Sequence, residues 1–334
     1  MDIVTQAILG ASVAQSVSKK EHVRLATFIG LVSGVIADAD VFIQSSRDPL
    51  LALEFHRHFT HSIFFIPVGA LVAFCLLWPF LRKKLPSRFL YLYCFCGYLL
   101  SGFIDACTSY GTYLLWPVSS ARISWNIISI VDPAFTLLLF LGVVVGFRTS
   151  NTTYSRLGIG FAGCYLLLAI LQLNRAEESI YELAEQRGHV VEKAVIKPTM
   201  GNNLLWRSVY LSKGQFHIDV VRVGFSKRVY QGNSIDKFSM IRTLPNIDVN
   251  SILAHDIRRF EHFSDGYVSQ YPGKPDILGD VRYALNPLSV TPLWGIELNP
   301  ANEDQHVKYD AYRNVSSETR RQFVNMLLNR DIND

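Results

Sequence analysis

Residues 54–62 read EFHRHFTHS, and residues 63–81 continue as IFFIPVGALVAFCLLWPFL. The first segment holds three of the nine histidines of the chain, and the second is apolar over the length of a membrane helix. A helix needs about 20 apolar residues to cross the hydrocarbon core. Ionisable groups crowded against such a run are costly unless they face a bundle interior, pair with one another or bind a ligand. What the histidines do therefore depends on where the other polar residues of the apolar region fall.

Five further apolar stretches accompany 62–81, at about 3–17, 25–43, 89–108, 127–147 and 157–173. The first is short and rich in Ala, Gly and Ser, which suits a tucked or tilted helix; the other five are long enough to span. The charge distribution divides the chain in the same place. Residues 1–173 contain 12 Lys/Arg and 8 Asp/Glu, and residues 174–334 contain 20 of each. The fold class expected is an α-helical polytopic membrane domain, 1–173, followed by a soluble α+β or mainly β domain, 174–334. No basic stripe or RNP-like pattern argues for nucleic acid. The N-terminus lacks the basic region of a cleaved signal peptide. Cys94 and Cys96, one residue apart in an apolar run, read as buried thiols rather than as zinc ligands or a disulfide.

Loop charges orient the helices. Lys19, Lys20 and Arg24, then Arg82, Lys83, Lys84 and Arg88, then Arg148 and Arg156 occupy alternate loops. The intervening loops carry only Arg47 and Arg57, then Arg122. The positive-inside rule places the first set in the cytoplasm. The loops at 44–61 and 109–126, and the domain after 173, are then expected on the extracytoplasmic side.

The few carboxylates of the apolar half collect at that same side. Asp38 and Asp40 lie in VIADADVF at the outer end of the second stretch, Asp105 lies inside the fourth in SGFIDACTSYGT, and Asp132 opens the fifth in SIVDPAF. His56, His58 and His61 lead into the third, and Thr5 and Gln6 sit near the outer end of the first. Carboxylates alone would repel. Carboxylates converging with neutral imidazoles suit a divalent metal, and this mixture accommodates zinc, manganese or magnesium. Asp132 has an ordinary alternative, since Asp before Pro133 is a common helix start. Asp38 and Asp40, two apart, cannot share one helical face.

Taken in order, MDIVTQAILGASVA, IADADVF in place of a PDxD-type motif, HRHFTHS in place of an HRGxSHS-type motif, DACTSYGTYLLWP and IVDP resemble the YdjM-like family of bacterial membrane-bound, metal-dependent hydrolases. The resemblance runs through about residues 1–140. The tail segments KPTMGNNLLWRSVY, RRFEHFSDGYVSQYP and PLWGIEL resemble the domain that follows in some members. It implies a multi-pass inner-membrane protein in which Asp38, Asp40, His56, His61 and Asp105 hold metal, with Gln6 and Asp132 in support. Two positions depart from the family pattern. His58 stands where members tend to have Gly. Gly102 stands where members often carry a His three residues before the Asp105 equivalent. Positions 102 and 105 share a helical face, so a His at 102 would be expected to aim at the same ion.

The activity expected is hydrolysis of an amphiphilic, lipid-like ester or phosphoester, with Asp40 or Asp132 as general base. The rival expectations are a cation-binding, transporter-like protein and a catalytically degenerate scaffold. Beyond 173, NRAEESIYELAEQRG reads as a charged helix leaving the membrane. LLWRSVYL, FHIDVVRV and LWGIEL alternate as half-buried strands, with a hairpin at SKGQ. ILAHDIRRFEHF and TRRQFVNMLLNR each carry a helical apolar stripe. His217, His255 and His262 lack ligand spacing, and Trp206 and Trp294 read as core.

Overall fold

The computed structural model describes residues 1–313 and 316–332. These form two compact units. The first comprises Met1–Phe42, Phe55–Leu171 and Met200–Asn203; the second comprises Ile43–Glu54, Gln172–Thr199 and Leu204–Asp334.

The helices of the first unit follow the apolar stretches: α1 Ile3–Ser16, α2 Val23–Ile36, α3 Leu51–Phe55, α4 Ile66–Leu81, α5 Ser87–Tyr98, α6 Ser101–Ala106, α7 Pro133–Thr149 and α8 Thr153–Gln186. Only the end of α3 and the first part of α8 belong to this unit. Among the described residues, three segments are long and apolar enough to cross a membrane, Lys20–Phe42, Ser87–Ala106 and Thr153–Gln186. A fourth is available if Leu51–His61 and Ile66–Leu81, bent by 91°, act as one broken span. The stretch at 127–147 yields less than expected, because the chain stays irregular until Asp132 caps α7 and Pro133 opens it. Its 17 residues rise about 25 Å, short of the hydrocarbon thickness.

α1, α2 and α5 pack backbone to backbone. A Cβ at Gly30 would lie 2.4 Å from the Gly10 carbonyl oxygen, so only glycine permits this approach. Gln15 ties the helices together by donating to Thr27 Oγ1 at 2.8 Å and to the Val143 carbonyl at 3.2 Å. The core around them holds Leu9, Ile29, Leu90, Tyr93 and Leu139. Leu71, Leu76, Phe80, Leu137, Phe140, Leu167 and Leu171 are exposed on the outward faces, as lipid-facing side chains are. Cys94 and Cys96 are buried free thiols.

The second unit carries two four-stranded antiparallel sheets in sequential order. One is β1 Lys193–Pro198, β2 Leu205–Ser212, β3 Gln215–Val223 and β4 Lys227–Asp236; the other is β5 Val268–Tyr271, β6 Lys274–Asp280, β7 Trp294–Glu297 and β8 Lys308–Ala311. Lys213 and Gly214, both at positive φ, make the two-residue turn of the β2–β3 hairpin. The last part of α8 accompanies the sheets, together with α9 Met240–Thr243, α10 Ile252–Phe263 and α11 Ser317–Leu327. Trp206 is buried with Ile180, Tyr210 and Val221, and half-buried Trp294 packs on the core of Leu253, Ile257 and Phe260. His217 stacks on Tyr210 at 5.0 Å.

Leu50 is also in that second core, and a polar network joins its segment to α10. Arg259 donates to both oxygens of Asp48 (3.0 and 2.9 Å), to Glu54 at 2.7 Å and to Asp256 at 2.8 Å. Asp256 Oδ2 accepts His306 Nδ1 at 2.8 Å and the Val307 amide at 3.1 Å. The guanidinium holds the Asp48 carboxyl below its ordinary pKa, despite the opposing effect of burial. That contribution is present above the unfolded carboxylate pKa of about 4 and is lost as pH falls through the lower folded value. Arg259→Ala leaves buried Asp256 without its cation, and is expected to cost about 3 kcal/mol. Urea unfolding of the variant beside the parent checks this; coincident curves would mean that the network adds nothing.

Candidate metal centre

The histidine segment turns sharply at the end of the apolar region. Arg57 adopts φ +58°, an uncommon conformation for a residue with a side chain. Three bonds hold it there. Its amide donates to Asp40 Oδ2 at 2.7 Å, and its carbonyl accepts the Tyr113 amide at 3.2 Å and the Thr112 hydroxyl at 2.9 Å. A 3₁₀ turn, Phe59–His61, follows, fixed from the α5 side by the Tyr98 hydroxyl on the Thr60 carbonyl at 2.6 Å.

This turn buries His61 completely between carboxylates from two other elements. Asp38 and Asp40 come from the 3₁₀ segment Ala37–Phe42, which ends α2, and Asp105 comes from α6. His61 Nε2 lies 2.9 Å from Asp105 Oδ2 and 3.3 Å from Asp38 Oδ1. One ligand atom from each of Asp38, His61 and Asp105 falls within 4.8 Å of the others.

The other ring nitrogen fixes the tautomer. Thr60 Oγ1 donates its single proton to Asp40 Oδ2 at 2.7 Å, and lies 2.9 Å from His61 Nδ1. That second contact requires Nδ1 to be the donor. A neutral His61 then turns the lone pair of Nε2 toward two carboxylates. Asp38 Oδ1, His61 Nε2 and Asp105 Oδ2 are all buried, and none is aligned in a hydrogen bond. With His61 neutral, the three atoms are all acceptors, and acceptors facing one another favour a cation between them; with His61 protonated, Nε2–H would instead point to Asp105 Oδ2 at 2.9 Å. One imidazole with two carboxylate oxygens is a donor set that a divalent ion accepts, and the carboxylate and hydroxyl behind Nδ1 match the outer contacts that orient metal-bound histidines.

Cations of the chain also reach the cluster. Arg57 is buried, with Nε 3.2 Å from Asp105 Oδ2 and its terminal nitrogens donating to Thr108 Oγ1 at 3.2 Å and the Met1 carbonyl at 3.0 Å. The Met1 amine pairs with Asp105 Oδ1. Arg57, Thr60 and Thr108 were not among the expected site residues. Arg57 had been counted as a loop charge, although its place between two histidines in HRH is the signal that could have found it.

The remaining expected residues lie outside the cluster of three. Asp40 accepts the Arg57 amide and Thr60 hydroxyl on one oxygen and faces His56 Nδ1 at 3.3 Å with the other, so it braces the turn. His56 otherwise packs against Tyr110 at 5.4 Å. His58 sits among Phe55, Tyr113 and Trp116, at 4.6 Å from the Tyr113 ring. Gln6 donates to the Ser101 carbonyl at 3.3 Å. Asp132 caps α7 through the Phe135 amide at 3.1 Å and accepts the Tyr165 hydroxyl at 2.8 Å; none of these bonds joins it to the cluster.

Gly102 has a different role from the one its spacing suggested. A Cβ there would lie 2.0 Å from the His61 carbonyl oxygen and 3.2 Å from Leu114. The position faces the histidine turn, but at a separation that admits no side chain. Its glycine lets α6 press against that turn and brings Asp105 to His61.

The sequence model of the YdjM inner membrane protein family matches residues 1–176. The chain belongs to this family. It is therefore a membrane protein, and the matched region contains every residue of the cluster. No curated protein and no solved structure matches the chain.

Proposed function

We propose that this YdjM-family chain is a membrane-embedded, metal-dependent hydrolase whose ion is held by Asp38, His61 and Asp105. The supporting observation is the trio of buried acceptor atoms, Asp38 Oδ1, His61 Nε2 and Asp105 Oδ2, within 4.8 Å and without hydrogen bonds of their own. A divalent ion in such a set lowers the pKa of a bound water and polarises an ester or phosphoester oxygen. Asp40 and Thr60 keep the proton on His61 Nδ1 and the Nε2 lone pair directed inward. Arg57 carries the positive charge beside Asp105 that an anionic substrate group would meet. The cluster belongs to the helical unit, which favours an amphiphilic, lipid-like substrate. Zinc, manganese and magnesium all suit the donors.

A second reading is that of a non-catalytic charge cluster, favoured by the 3.2 Å approach of Arg57 to Asp105. Elemental analysis of protein purified without chelator separates the two. About one equivalent of a divalent metal is expected in the parent, and a large loss in Asp105→Asn, which keeps the shape and removes the charge. A metal-free parent that also fails to take up zinc, manganese or magnesium would leave the charge-cluster reading standing.

We also propose that the C-terminal unit is extracytoplasmic. Support comes from the alternating Lys/Arg loops and from the burial of Arg57, which removes one of the two cations of the outer loop at 44–61 from the solvent-exposed charge that the orientation count weighs. Alkaline phosphatase fused to the C-terminus is expected to be active, and a fluorescent reporter that matures only in the cytoplasm to be dark. The reverse pair of results would invert the topology.

A further inference from the structure

The connection between β6 and β7, residues 281–293, is far longer than an ordinary hairpin loop. It is nevertheless firmly held. Arg207, buried in β2, donates to the carbonyls of Val281 at 2.8 Å, Ser289 at 3.0 Å and Pro287. The Tyr312 amide donates to Leu293 at 2.7 Å, and Asn286 donates to Gln322 of α11 at 2.5 Å. A long loop fixed from behind by a buried cation has the character of a preformed wall.

That wall closes one side of a cavity of about 320 Å³, within the range of small-molecule sites. Tyr271, Lys274, Asn286, Tyr312, Arg313 and Thr319 line it. A second cavity of about 290 Å³ shares Tyr271 and Lys274 with the first. The β5–β6 turn creates the shared edge. Pro272 and Gly273, the latter at φ +74°, form a tight turn that sets Tyr271 and Lys274 opposite each other. The Tyr271 and Tyr312 rings meet edge to face at 5.0 Å, with the Lys274 ammonium 5.7 and 5.8 Å from their centres.

We infer that these neighbouring cavities bind a short anionic saccharide. Of these half-buried tyrosine rings, the surface not covered by the edge-to-face contact or by Lys274 is what the C–H surface of a sugar ring would meet. Asn286 keeps a second amide N–H beyond its bond to Gln322, and the Thr319 hydroxyl keeps a lone pair beyond its contact with Ser316 Oγ, and sugar hydroxyls pair with such groups. Lys274 and Arg313 supply the charge for a carboxylate or phosphate, and a guanidinium can grip either with two parallel bonds. The lining is mainly polar and offers no deep apolar pocket for a peptide anchor. Two cavities sharing one edge suit more than one sugar ring. The site lies wholly in the second unit and does not depend on the metal reading.

The full-length protein in detergent, titrated calorimetrically with trigalacturonate, tests this. Binding is expected, with maltotriose, its neutral counterpart in length, roughly tenfold weaker or worse. Tyr312→Ala and Lys274→Ala are each expected to weaken trigalacturonate by about three- to tenfold, with unchanged thermal unfolding. Hexaglutamate is the acidic-peptide control and is expected to bind more weakly than trigalacturonate. The inference is overturned if trigalacturonate fails to bind, if neither substitution weakens it, if maltotriose matches it, or if hexaglutamate binds as well.

Discussion

Gly102→His is expected to destabilise the helical unit severely and to add no metal ligand. The family pattern suggests the opposite, since a histidine three residues before Asp105 would share its helical face. The backbone decides against it. The first carbon of any side chain at 102 would sit 2.0 Å from the His61 carbonyl oxygen, well inside contact distance. That oxygen is main-chain and cannot swing away as a flexible side chain would. The 3₁₀ turn carrying it is fixed by Arg57, Thr60 and Tyr98. Either α6 or the turn must move, and both carry cluster residues. Overpacking a tight core costs about 1–3 kcal/mol, occasionally more, and the rigidity here argues for the upper end even in Gly102→Ala. Thermal unfolding in detergent, run with zinc binding on the same samples, reads both consequences. If Gly102→His unfolds with the parent and binds zinc more tightly, the turn is softer than its hydrogen bonds imply, and the alignment with HxxD regains its meaning.

The helices were legible because apolar length is a property of composition, and all six apolar stretches became helical. What the sequence blurred was where helices end. The stretches at 157–173 and 174–188 read as a span and a charged helix leaving the membrane, because their compositions differ sharply, and sequence alone did not say whether one helix carries both. The 174–186 portion of NRAEESIYELAEQRG contains no Gly or Pro, and Glu and Ala are good helix formers, so α8 runs unbroken to Gln186. The stretch at 127–147 erred the other way, since apolar residues before Asp132 lie in irregular chain. The strands of the second unit formed where the alternating runs lay, but β2 is buried along its whole length rather than on one face, because the second unit covers both of its sides; the SKGQ hairpin followed from its turn residues.

The cluster was legible in part for a similar reason. A carboxylate inside an apolar run, such as Asp105, demands a partner wherever the fold puts it. Asp38 and Asp40, two apart, cannot share a helical face, yet both were expected at the metal. Asp38 turns to the cluster, while Asp40 supports the histidine turn. Which did which depended on tertiary contacts. Asp132 kept the plainest reading of its neighbourhood, a helix cap before proline. Arg57 escaped notice because charge in a loop between spans is normally solvated, and only the packed turn shows it to be buried beside Asp105.

His61→Ala is expected to abolish metal binding, and the ranking of variants around it tests the arrangement more sharply than any single loss. The imidazole faces Asp38 and Asp105 with Nε2 and is oriented through Nδ1 by Thr60 and Asp40. Removing it takes away the only nitrogen donor of the three and leaves two carboxylates facing each other, so a loss of affinity beyond about 100-fold is expected. Thr60→Val keeps the volume but removes the hydroxyl that fixes the tautomer; outer contacts of this kind are worth about 10–100-fold. His56→Ala should stay close to the parent, because its Nδ1 approaches Asp40 rather than the cluster. Zinc affinities by competition with a chromogenic chelator, on variants matched for thermal unfolding, give the order directly. His56→Ala weakening zinc as much as His61→Ala would move the ion toward Asp40 and His56, which the family resemblance also placed among the ligands. Equal affinities throughout would mean that the ion, if bound, sits elsewhere, and that Asp38, His61 and Asp105 are held together by the cations of the chain, Arg57 and the Met1 amine.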